Sequence, residues 1–156
     1  MRIRNFLSIV ILCSALLAGC ATRPSSPPLD FGDSSVNNLW YQVEYRRNEG
    51  DPDQALIYAD KLIELYSAEA LEQQTSLSDY PVGQAVYSYN TLNYVGLTLL
   101  MKGDMLKEKG DNAGAREAYN SLVRDFAYAQ PGIEDNFVKV SVVAKERLGE
   151  LNDDSS

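Results

Sequence analysis

Glu69 and Glu72, three residues apart, and the adjacent Glu134 and Asp135 are the residue types a glycosidase uses as general acid and nucleophile. A carboxyl does that work when an apolar pocket raises its pKa. Neither pair has such a setting in the sequence. Both stand where helix ends and loops carry solvated charge, so the expectation is no catalytic residue. The rest of the inventory agrees. The chain has no histidine, which removes the commonest general base and the commonest transition-metal ligand. Asp51, Asp53 and Asp111 fall at helix starts, where the dipole favours an acid, and lack calcium-loop spacing. No metal and no cofactor are expected.

The second group with chemistry to offer is tyrosine. The chain has ten, among them Tyr41, Tyr45, Tyr58, Tyr66, Tyr87, Tyr89 and Tyr94, with Trp40 beside Tyr41. A tyrosine ring is apolar with a polar tip and suits a half-wet recognition surface. Tyr87, Asn90 and Tyr94, at spacings of three and four, share one helical face and are the candidate partner-binding residues. The competing reading is rings packed between helices with their hydroxyls in water.

The two cysteines lie early, at Cys13 and Cys20. Arg2 and Arg4 precede a mostly apolar run, Phe6 to Leu17, too short to span a bilayer and followed by small residues: the pattern of a secretory signal. The segment ends Leu17-Ala18-Gly19-Cys20, which resembles the lipobox of bacterial lipoproteins. The resemblance implies removal of residues 1–19, acylation of Cys20 and several acyl chains, enough for stable anchoring. Ala21, where retained lipoproteins of this kind carry Asp, implies the outer membrane with the domain facing the periplasm.

Without residues 1–19 the chain has twelve basic and twenty-two acidic residues, net −10, and no thiol beyond Cys20. That charge argues against nucleic acid as a partner. The expected partners are other envelope proteins and, through the lipid on Cys20, the membrane.

The elements that must position these groups read as helices. Residues 20–35, rich in Pro and Ser, are read as a tether. An all-α domain is expected over 36–151, with helices near Val36–Asn48, Pro52–Ala70, from Pro81 unbroken to Lys109, Ala113–Phe126 and Ile133–Leu151, the last as a C-terminal cap facing Phe137, Val140, Val143, Ala144 and Leu148 inward. Residues 152–156 read as a disordered tail.

Leu99 to Tyr128 resembles a tetratricopeptide repeat. Gly103 and Leu106 take the first-helix positions, Gly110 with Asp111 the turn, and Ala115 and Tyr119 the second helix. Lys102 departs from the motif, as does Ala127 where Pro is usual. A weaker copy lies upstream: Gly50-Asp51 and Ala55 precede Gly110-Asp111 and Ala115 by sixty residues. The resemblance implies about five helices in tetratricopeptide-like antiparallel hairpins, and a lipid-anchored scaffold or adaptor that recognises a partner protein or peptide. A pilotin-like adaptor for a secretion or pilus system and a peptidoglycan hydrolase are the alternatives.

Overall fold

In a computed structural model, the structure describes residues 31–133 and 136–153. The signal segment, Cys20, the first part of the tether, and Glu134 and Asp135 lie outside the described residues. The described chain is all-α, with five helices: α1 Val36–Asn48, α2 Pro52–Thr75, α3 Asn90–Glu108, α4 Asn112–Asp125 and α5 Val140–Asp153. A 3₁₀ helix, Gly83–Tyr89, precedes α3. A two-residue antiparallel ladder, Gly132–Ile133 with Asn136–Phe137, precedes α5.

The two helical hairpins close with the same turn. Gly50 and Gly110 both have positive φ, at 77° and 81°, which glycine adopts without a Cβ penalty. In each, the glycine N–H bonds back three residues and the next N–H five: Gly50 to Arg47 and Asp51 to Arg46, then Gly110 to Lys107 and Asp111 to Leu106. This is a Schellman ending. The aspartate then caps the following helix. Asp51 accepts from the Gln54 N–H at 3.1 Å, and Asp111 from the Gly114 N–H at 2.9 Å. One Gly-Asp pair thus stops one helix and starts the next, which sets α1 antiparallel to α2 and α3 antiparallel to α4.

Helix α3 is the centre, touching α1, α2, α4 and α5. Its glycines explain how four neighbours fit. A Cβ on Gly96 would stand 2.3 Å from the Ala129 Cβ, and one on Gly103 2.2 Å from the Tyr119 ring. Both sites are occupied by a neighbour instead of a side chain, which offsets the roughly 1 kcal/mol that a helical glycine costs against alanine. Leu39, Val43, Ala55, Ala59, Leu62, Leu92, Val95, Ala115, Leu122, Val140 and Ala144 complete the core.

Several element bounds differ from the sequence expectation. The third helix is not continuous: the segment from Pro81 winds as a 3₁₀ turn and the α-helix begins at Asn90. Side chains hold this break. The Leu92 N–H donates to Gln73 Oε1 at 2.8 Å, and Asn93 Nδ2 donates to the Val86 carbonyl at 3.0 Å. Helix α2 runs five residues beyond Ala70, because its last turn is used. Gln73 binds the start of α3, and Gln74 Oε1 accepts from the Tyr128 N–H at 2.9 Å after α4.

The fifth helix begins at Val140, not Ile133, because Gly132–Ile133 and Asn136–Phe137 form the short ladder. Phe137, expected inside, is 37 % exposed. Val143 and Leu148 are half-buried rather than core.

Residues 31–35, read as the end of the tether, pack on the domain. Phe31 meets the Tyr58 ring edge-on at 5.5 Å, and the Tyr66 hydroxyl donates to the Ser34 carbonyl at 2.8 Å. At the other end α5 reaches Asp153, and Asn152, read as tail, accepts from Arg116.

Candidate functional site: an uncharged aromatic cleft

Tyr87, Asn90 and Tyr94 come together in space. They line a cleft of about 220 Å³ with Trp40, Val86, Asn93, Leu97, Pro131 and Gly132. Three elements supply its aromatic rings: α1 gives Trp40, the 3₁₀ helix Tyr87, and α3 Tyr94. Since the α-helix starts only at Asn90, Tyr87 reaches the cleft from the 3₁₀ wall and not from a shared α-helical face.

The rings are paired and braced. Trp40 and Tyr94 lie 5.3 Å apart between centroids. Tyr87, 64 % exposed, is backed edge-on by Phe137 at 5.7 Å. Such pairs contribute about 0.5–1.5 kcal/mol beyond their burial. At the rim, Asn90 Nδ2 donates to Asn37 Oδ1 at 3.4 Å and ties α3 to the first turn of α1.

A buried asparagine holds the walls. Asn93 donates to the Val86 carbonyl, as above, and its Oδ1 accepts from the Gln130 N–H at 2.7 Å. One side chain therefore joins the 3₁₀ wall to the segment that supplies Pro131 and Gly132. The Trp40 indole N–H, by contrast, is buried and has no acceptor among the described residues. An unpaired buried donor of this kind costs on the order of 1–3 kcal/mol.

No lining side chain carries a charge. In so acidic a chain this is a local exception. The charged groups collect in other places, among them a second concavity lined by Arg47, Asp104, Lys107, Glu108, Arg147 and Glu150. There Lys107 meets Glu150 at 2.8 Å and Arg47 meets Glu108 at 3.4 Å. The hydrogen bond from Lys107 holds the Glu150 carboxyl below the usual glutamate range. Three cations face three anions, so these charges are already matched.

The remaining tyrosines divide between packing and surface. Tyr58 and Tyr119 are buried. Tyr41 and Tyr45 stack at 6.0 Å on the exposed side of α1. Glu69, one of the acids weighed for catalysis, accepts from the Thr91 hydroxyl at 2.7 Å and joins α2 to α3. Among the described residues no group of three or more His, Cys, Asp or Glu is arranged to hold a metal, and no helix is long and apolar enough to cross a membrane.

No family model, curated protein or solved structure matches this chain. The function is therefore read from the cleft and from the sequence motifs.

Of the cleft residues, sequence reasoning named Tyr87, Asn90 and Tyr94 and missed Trp40 and Asn93 as lining. Asn93 carried a usable signal: an amide inside the apolar stripe of α3 must find buried partners. Pro131 and Gly132 fall between two expected helices and Phe137 inside the expected fifth helix, so none of the three carried one.

The residues named for repeat packing are placed as follows. Gly103 lies against Tyr119, and Ala115 is fully buried. Leu106 is half-buried, and its Cδ1 would be 3.2 Å from a Cβ on Gly114. Gly110 is the positive-φ residue of the second turn.

Proposed function

We propose that this chain is a lipid-anchored protein of the bacterial envelope, held on the outer membrane through Cys20, whose tetratricopeptide-like helical domain binds a partner protein without chemical turnover. The lipobox-like Leu17-Ala18-Gly19-Cys20 and the repeat-like 99–128 segment support the anchor and the scaffold role. The cleft carries the binding reading. Three aromatic rings from three elements, two of them half-buried and one exposed, surround an uncharged hollow whose walls are pinned by a buried amide. Pre-ordered walls lower the cost of capture, and Tyr and Trp are the side chains that dominate binding hot spots.

The test is crosslinked capture from detergent-solubilised envelopes. Replacing Tyr87, Asn90 and Tyr94 together with alanine should weaken capture by about 2 kcal/mol if one ring is central, while far-UV circular dichroism stays helical. Full capture by the triple variant overturns the cleft assignment.

A further inference from the structure

The lining of the cleft restricts what it can hold. An ionic group would enter a hollow with no counter-charge, so its desolvation would go uncompensated. A saccharide presents many hydroxyls, each needing a partner. The lining side chains that hydrogen-bond are two tyrosines, one indole N–H and two amides, and the Asn93 amide is already engaged through both its ends. Val86, Leu97 and Pro131 make the rest apolar. The hollow is also smaller than the roughly 300–1,000 Å³ typical of sites for drug-sized ligands. It suits one or two compact apolar rings, not a helix.

The cleft holds one unsatisfied donor: the Trp40 indole N–H has no acceptor among the described residues, whereas the Asn90 Nδ2 at the exposed rim already donates to Asn37. A polyproline II segment is the matching chemistry. Its rings are flat enough to lie on aromatic faces, its proline nitrogens donate nothing, and its carbonyls are left open by the absence of internal hydrogen bonds. Aromatic grooves that read such segments use the same elements.

We propose that the cleft reads an uncharged, proline-containing extended stretch of the partner protein, with the rings of Trp40, Tyr87 and Tyr94 stacking on proline and Trp40 Nε1 donating to a backbone carbonyl of the stretch. This rests on the binding reading above and names its ligand class. The Trp40 indole N–H is buried, so the ring must move to present it, and binding should register in the ring itself.

Trp40 is the single tryptophan of the chain, which makes its emission a reporter. Full-length protein in detergent is titrated with an acetylated, amidated octaproline peptide, with a glycine-serine peptide of equal length, and with an N-acetylglucosamine trimer. Octaproline should give a saturable change in Trp40 emission and the other two none. Tyr94→Ala and Tyr87→Ala should each weaken octaproline about tenfold. Trp40→Phe, followed by calorimetry, should weaken it while keeping the ring.

Saturation by the saccharide instead of octaproline overturns the proline assignment, as does equal response to the glycine-serine peptide. Unchanged affinity in both tyrosine variants overturns the location. If no probe binds yet partner capture still depends on Tyr87, Asn90 and Tyr94, the ligand class is wrong and the binding reading survives. If capture is also indifferent to those residues, both fail.

Discussion

The Tyr119 ring occupies the place where Gly103 has no side chain. A Cβ built on Gly103 would lie 2.2, 2.6 and 2.7 Å from three carbons of that ring, and the Tyr119 hydroxyl then donates to Asp104 at 2.7 Å, one residue along the same helix. Sixty residues earlier the corresponding positions are Val43 and Ala59, both fully buried. The bulk has changed sides: small on α3 and large on α4 in one hairpin, large on α1 and small on α2 in the other. The two hairpins therefore share a turn but differ in how the helices are filled.

Overpacking this contact should be costly. Gly103→Leu must displace the Tyr119 ring, and Ala115→Leu must open a fully buried site. Each is expected to destabilise by about 1–3 kcal/mol. The exposed Lys145→Ala should stay within about 0.5 kcal/mol. Urea midpoints of the three variants check this, and equal tolerance of all three contradicts the packing.

Tyr119 should also make the fold sensitive to alkali. Burial first, then the bond to Asp104, pushes its phenol above the ordinary value near 10. The folded state thus favours the protonated phenol more than the unfolded state does. The stability this provides is complete below about pH 10 and is lost as pH rises through the raised folded value. Tyr119→Phe loses the Asp104 bond at neutral pH but should show a shallower fall in stability across the alkaline range. Parallel alkaline profiles for the two proteins would count against it.

Asn93→Leu should loosen the cleft from within. It leaves the Val86 carbonyl and the Gln130 N–H without their partner, at a cost of about 1–3 kcal/mol. Hydrogen exchange should quicken in 83–89 and 130–133 and stay slow in α2 and α4. A uniform change across all helices would mean that Asn93 supports the whole core and not these two walls.

The proposed anchor is checked at Cys20. Cys20→Ser should abolish metabolic labelling with palmitate and release the protein from the membrane fraction or leave it unprocessed. Labelling and fractionation identical to the unaltered chain would remove the lipoprotein reading.

The parts of the fold legible in the sequence are those governed by nearest neighbours along the chain. Ser35, Asp51 and Asp111 as caps, Gly50 and Gly110 as stops and Pro52 in the first turn of α2 act over a few residues. The apolar stripes of α1, α2 and α4 are equally local. Gly96 and Gly103, seven residues apart inside one helix, are a local signal of the same kind, because a helix interior tolerates glycine where space is the benefit. Tertiary structure decided what depends on partners far along the chain. The break before Asn90 exists because Gln73 and Asn93 reach the backbone across it. The extension of α2 exists because Gln73 and Gln74 find N–H groups 19 and 54 residues away. The ladder of Gly132–Ile133 with Asn136–Phe137 stands where periodicity favours the start of a helix. The cleft belongs to this second kind: Trp40, Tyr87 and Tyr94 meet only when α1, the 3₁₀ helix and α3 are folded together, and no spacing in the sequence encodes a distance between separate elements.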